Sequence, residues 1–139
     1  MKAIVNITLF TTLALFLVSC SDSTEAEAKK KGVEIWFSEL VHDYGEIPVG
    51  SDGNYSFAFK NLSDSAIIVN RVRSTCGCTI PSWPKVPVES GDSARIIVSY
   101  NTAQAGAFSK SVYVYSSAAN SPVKLQIKGR VVPSEEKTK

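Results

Sequence analysis

Cys76 and Cys78, one residue apart in the run Ser74-Thr75-Cys76-Gly77-Cys78-Thr79, are the most evident reactive groups of this chain. In an extended strand, positions i and i+2 point to the same side with Cα atoms about 6.5 Å apart, near the upper limit for a disulfide. Gly77 lets the backbone tighten, so a local bridge fits the spacing. Its entropic worth is small: the chain-entropy model gives about 1.6 kcal/mol for a loop of about three residues, against about 3 for fifteen. Three chemistries are therefore open. The pair is a settled structural disulfide in an oxidising compartment, two thiolates holding a soft ion such as Cu(I), or a strained bridge that exchanges with a partner thiol. Arg71 or Arg73 would lower a thiol pKa in the last case.

His42, the chain's only histidine, is the candidate auxiliary ligand for such a metal, if strand pairing brings it to the cysteines. Its competing role is a hydrogen-bonding strand position near a turn. The only methionine is Met1, inside the leader described next. There is no zinc-type Cys/His spacing, no phosphate loop and no nucleophile elbow around a serine. The chain reads as non-enzymatic, with no catalytic residue.

The remaining cysteine, Cys20, concerns location. Met1-Lys2 supplies a minimal positive segment, Ile4 to Leu17 is almost purely apolar, and Leu17-Val18-Ser19-Cys20 ends the run. About fourteen apolar residues fall short of the roughly 20 that span a bilayer, so residues 1–19 read as a signal peptide. Leu-Val-Ser-Cys resembles a bacterial lipobox, which makes Cys20 a lipidated first residue; two or more acyl chains anchor stably. Residues 20–32, ending in Lys29-Lys30-Lys31-Gly32, have no apolar periodicity and read as a flexible tether. The expectation is an exported protein held in the cell envelope by lipid, with envelope proteins as partners. A net charge of +2 with interspersed signs excludes a nucleic-acid footprint.

From residue 33 to 133 the hydrophobic period is two. Tyr55, Phe57 and Phe59 alternate with Asn54, Ser56, Ala58 and Lys60. Ile67 and Val69 share a face from which Val72 falls out of register, which predicts a bulge near Asn70-Arg71. Pro81, Pro84 and Pro87 predict an irregular crossover over Pro81 to Val88, with Trp83 capping the core. Ala94, Ile96, Val98 and Tyr100, then Val112 and Val114, then Leu125, Ile127 and Val131 mark inner faces. Trp83, Tyr113 and Tyr115 are either contact aromatics or core, and Arg71 and Arg73 read as a solvated strand face. Residues 134–139 are a polar tail. About seven antiparallel strands in about 100 residues predict an all-β, immunoglobulin-like sandwich.

Several segments together resemble one exported bacterial family. They are His42-Asp43-Tyr44-Gly45-Glu46-Ile47, Phe57-Ala58-Phe59-Lys60-Asn61, the Cys-Gly-Cys-Thr run, Pro87-Val88-Glu89-Ser90-Gly91, Gly106-Ala107-Phe108-Ser109-Lys110 and Leu125-Gln126-Ile127-Lys128-Gly129-Arg130-Val131. The family is called domain of unknown function 1573. The chain departs from it mildly, with Tyr44 where Phe is usual and Ser90 where Pro is common. The resemblance implies a sandwich related to pilus-chaperone and hydin-type domains, and structural roles for Asp43, Gly45, Asn61, Gly77, Gly91 and Gly129. It implies no activity. The reading is a lipid-anchored, non-enzymatic binding or assembly module; the alternative is a thiol-based copper or redox protein built on Cys76 and Cys78.

Overall fold

The computed structural model describes residues 22–30 and 32–134. The leader, Cys20 and residues 135–139 of the polar tail lie outside the described residues.

Eight strands follow a short helix α1 (Asp22–Lys30): β1 (Ile35–Phe37), β2 (Val41–Pro48), β3 (Asn54–Asn61), β4 (Val69–Ser74), β5 (Thr79–Ser82), β6 (Ser93–Tyr100), β7 (Gly106–Ser116) and β8 (Val123–Val132). They form two four-stranded sheets, ordered β1-β3-β6-β5 and β2-β8-β7-β4. All pairs are antiparallel except β2 with β8, which run parallel.

Alternation explains the packing. Phe57 and Phe59 of β3 and Ile96 and Val98 of β6 face inward, against Val72, Val112, Val114, Leu125, Ile127 and Val131 of the other sheet, all buried. Each such side chain contributes about 1.5–3 kcal/mol on burial. The expected bulge is present: the β4–β7 register shifts between Val69 and Arg71, so Val69 and Val72 are both buried.

Three details differ from the sequence reading. The strands number eight, not seven, and one pair is parallel. The extra strand is β5, where Pro81 and Ser82 pair with Val98 and Ile97 inside the stretch expected to be irregular. The third difference is α1, in a segment read as a structureless tether. Its residues are mostly good helix formers, but a helix polar all round leaves no apolar period to read. It is tied to the sandwich by Glu25–Lys60 and Lys29–Asp64 ion pairs.

Two asparagines hold the turns. Asn61 is fully buried; its Nδ2 donates to Ser65 O and Val88 O, and its Oδ1 accepts from Ser63 N and Oγ, all within 2.9 Å. Gly91 N–H donates to Asn61 O, which joins the turn before β6 to the end of β3. Asn120 clasps β1, its Oδ1 accepting from Glu34 N and Ile35 N while its Nδ2 donates to Ile35 O.

Candidate functional site

The sandwich has two open sides, where the edge strand of one sheet lies beside the edge strand of the other. A three-residue link joins β1 to β2 on one side, and the Cys-Gly-Cys turn joins β4 to β5 on the opposite side.

The turn is held by a covalent bond and by hydrogen bonds from both flanks. Cys76 and Cys78 form a disulfide, with Cα atoms 5.4 Å apart. The sequence reading placed the pair in an extended strand; β4 ends at Ser74 and β5 starts at Thr79, so the cysteines sit in a turn and approach more closely. Ser74 Oγ lies 2.7 Å from both Cys76 O and Thr79 O, its one proton serving the two carbonyls. Asn101 N–H donates to Cys78 O at 3.0 Å, and Thr75 N–H donates to Ser111 O at 3.0 Å. Buried Thr79 sets its hydroxyl 3.7 Å from Cys76 Sγ. Beside the turn, Cys78, Tyr100, Asn101, Gln104 and Lys110 line an open polar concavity of about 390 Å³.

His42 is nowhere near this turn. It lies on β2, at the opposite edge of the sheet from β4, with β8 and β7 between. Three inter-strand steps amount to about 14 Å. Its ring stacks on Tyr55 with centroids 3.4 Å apart, and its Nδ1 lies 3.5 Å from Glu39 Oε1, while Tyr55 Oη donates to Glu39 Oε2 at 2.6 Å. The expected auxiliary role is thus corrected: His42 is part of an aromatic cluster. Among the described residues no group of three or more His, Cys, Asp or Glu side chains could hold a metal. Cu(I) on the two sulfurs would first require their bond to be reduced.

Of the motif residues other than the cysteines, Asp43, Gly45, Asn61, Gly91 and Gly129 do structural work, whereas a Cβ at Gly77 would meet nothing within 4 Å. Asp43 Oδ1 accepts from Gly45 N at 2.8 Å, and Lys128 stands 3.2 Å from Oδ2. The backbone hydrogen bond from Gly45, then the one from Lys128, hold this carboxyl below the usual carboxylate range. Gly45 has φ +63° inside the β2 bulge, a conformation that favours glycine. A Cβ on Gly129 would meet Gly45 O and Tyr44 Cβ at 3.0 Å and Phe108 Cζ at 3.1 Å, so Tyr44 packs against bare backbone there. Tyr44 donates to Gly53 O at 2.8 Å, and burial pushes its phenol up to about 12.

What the arrangement offers for binding is an edge. Each sheet has two outer strands, and the devices against further pairing are placed differently on each. The outer backbone of β1 is held by Asn120. β2 is broken by its bulge and carries Asp43 and Glu46. In β5, the Asn101–Cys78 bond fixes the alternation so that Ile80 and Ser82 face β6, which sends Thr79 and Pro81 outward. Proline on that free side offers no donor. β4 has its bulge at its start, between Val69 and Arg71, and carries two cations. Beyond the bulge Thr75 N–H bonds to β7, so Arg71 and Arg73 also direct their backbone to β7, and the backbone groups of Val72 and Ser74 point outward. No described strand covers them.

Arg71 and Arg73 stand on the outer face of this edge, exposed, opposite Tyr115 and Tyr113 of β7. The guanidinium carbon of Arg71 lies 4.6 Å from the Tyr115 ring centroid. The sequence reading left these tyrosines undecided between contact and core. Alternation with buried Val112 and Val114 settles it, a signal that was present in the strand's own pattern. Trp83 is partly buried against the core, with Lys85 Nζ 3.1 Å from its ring centroid.

Two packed sheets linked by these crossovers define an immunoglobulin-like, PapD-like sandwich. The chain belongs to the family described as protein of unknown function (DUF1573), whose model matches residues 35–131. No curated protein matches the sequence. Among solved structures it is similar to a protein of unknown function from Porphyromonas gingivalis W83, with TM-score 0.61 and 8% identity over 70% of this chain and 46% of that one. It therefore spans less than half of that protein's length. It is also similar to the ASH/PapD-like domain 7 of human CEP192, with TM-score 0.62 and 10% identity over 73% of this chain and 87% of that one. The CupB2 chaperone of Pseudomonas aeruginosa matches with TM-score 0.51 and 12% identity, over 74% of this chain and 57% of that chaperone.

Proposed function

We propose that the protein is a non-catalytic binding module of the cell envelope, exported by its leader, held by lipid on Cys20, and recruiting an envelope protein by adding a strand to β4. The observation that carries the proposal is the contrast among the edges. A clasp at β1, a mid-strand bulge in β2 and a proline in β5 interrupt the outward backbone. The bulge of β4 instead lies at its start, between Val69 and Arg71, and the outward backbone groups of Val72 and Ser74 beyond it are covered by no described strand. Strand addition draws affinity from main-chain hydrogen bonds and specificity from alternate side chains. The likeness to a chaperone sandwich is consistent with such a role. In this reading the Cys76–Cys78 bridge is structural, a short ring that fixes where β4 ends.

A photo-reactive residue at position 73 of β4, and separately at position 82 of β5, tests the edge in intact cells. A discrete protein adduct at 73 and none at 82 is expected; equal adducts at both, or none at 73, would sink the reading. The anchor has its own test, the intact mass of membrane-extracted protein before and after alkylation without reductant. A lipid-sized addition on Cys20 and no alkyl uptake is expected. Two alkyl groups taken up would mean free thiols at Cys76 and Cys78 and would return the thiol chemistry to the front.

A further inference from the structure

We infer that the segment added to β4 is acidic: an extended stretch of a partner protein with carboxylates at alternate positions, read by Arg71 and Arg73 with Tyr113, Tyr115 and Lys124 behind them. This rests on the edge-strand reading above and deepens it by naming the partner's chemistry.

The outer face of the β2-β8-β7-β4 sheet divides into two electrostatic halves. Toward β2 the cations are answered: Lys128 pairs with Asp43 at 3.2 Å, and Arg130 is the register partner of Glu46. Toward β4 they are not. Arg71, Arg73 and Lys124 are exposed, and no carboxylate lies within ion-pairing distance of any of them among the described residues. Tyr113 is in direct register with Arg73 on one side and Lys124 on the other, so three strands contribute one Arg–Tyr–Lys row. Arg71 covers Tyr115 in the neighbouring row. Uncompensated cations over aromatic faces are set for an anionic ligand.

Position decides what kind of anion. The two arginines stand on the edge strand itself, two residues apart and on one face. A strand added to β4 has its side chains directly opposite, with Cβ atoms about 4.5–5.5 Å away. Carboxylates at its positions i and i+2 meet Arg71 and Arg73, where forked hydrogen bonds to a carboxylate are available. The residue between them turns toward the same side as Val72, the open seam between the sheets, and is best apolar. The recognised pattern is acid–apolar–acid in extended form. A membrane surface or an anionic glycan would use the cations alone and leave the outward amides of Val72 and Ser74 in water.

The test uses the full chain with two fluorescent peptides, one alternating Glu and Val and one alternating Lys and Val, and with phosphatidylglycerol and phosphatidylcholine vesicles. The Glu/Val peptide is expected to bind, to slow hydrogen exchange at the Val72 and Ser74 amides, and to weaken as salt rises. The Arg71→Glu/Arg73→Glu variant, which changes exposed side chains only, is expected to lose at least about tenfold in that affinity by charge reversal of two cross-strand pairs. Equal binding of both peptides, with the same protection, would overturn the acidic preference and leave the edge reading standing. Phosphatidylglycerol vesicles that displace the peptide without protecting those amides would overturn the inference in favour of a lipid-facing patch. Binding of neither peptide would overturn it outright, the edge reading then being judged by its own crosslink.

Discussion

The two open sides of the sandwich close in opposite ways. On the β1–β2 side, side chains do the work: His42, Tyr44, Tyr55 and Phe108 make successive ring contacts, Tyr44 and Tyr55 anchor their hydroxyls on Gly53 and Glu39, and Asn120 holds the outer backbone of β1. On the β4–β5 side there is a covalent ring, a hydroxyl shared between two carbonyls, and an edge whose outward amides no described strand covers. Burying the first side yields stability. Bracing the second with a compact turn holds an edge in shape without occupying it. The packed side and the β4 edge are thereby separated by the width of a sheet, so they can be broken one at a time.

The largest effect is expected on the packed side. Tyr44→Ala removes a ring that packs on His42, Tyr55 and Phe108 together with its hydrogen bond to Gly53, and should cost about 3 kcal/mol of unfolding free energy in urea titration. Peptide binding at β4 should not change. A drop in both would mean that the two sides are coupled. The same tyrosine sets an alkaline limit: its phenol is raised from 10.0 to about 12, so the protonated form is favoured in the fold. Stability is then fully present below pH 10 and falls as pH rises through 12, and Tyr44→Phe should flatten that decline in pH-dependent melting. Tyr55, also raised, chiefly by its hydrogen bond to Glu39, supplies the residual slope.

On the braced side the costs are smaller. Replacing Cys76 and Cys78 by Ser should lower stability by no more than about 1.6 kcal/mol, because so short a ring restricts the unfolded chain little. Hydrogen exchange at the Thr75 and Asn101 amides should quicken in that variant, as the turn loses its brace. A loss of several kcal/mol would show the bridge to be a keystone of the core. Smallest of all, Arg71→Ala gives up one exposed contact with Tyr115, worth about 0.5 kcal/mol in melting. Its effect on acidic-peptide affinity should far exceed that figure.

Most of the sandwich was legible in the sequence because alternation is local. β3, β6, β7 and β8 show their inner faces in strict steps of two, and even the bulge in β4 was visible as Val72 falling out of phase with Val69. β5 was hidden because four residues that include Pro81 carry little pattern, and a proline is tolerated there only because its nitrogen faces off the sheet, which depends on pairing. The helix was hidden by its uniformly polar composition. For the site, the cysteines announced themselves by type. Their Cα atoms lie closer than strand geometry gives because the chain turns between β4 and β5. That His42 and the cysteines fall on opposite edges, and that the backbone of β4 beyond its bulge is covered by no described strand, are properties of strand order, which no stretch of residues contains by itself.

The Asn120 clasp and the shortness of β1 also have a mechanical meaning. Tension arriving along the chain from its N-terminal side meets the two ion pairs of α1 first and then β1, where three residue pairs and one asparagine resist it. Behind them lie the six paired positions of β2 with β8. Under load, then, β1 yields as a fuse and lets the chain lengthen by a few residues, while the sheet that carries β4 stays paired.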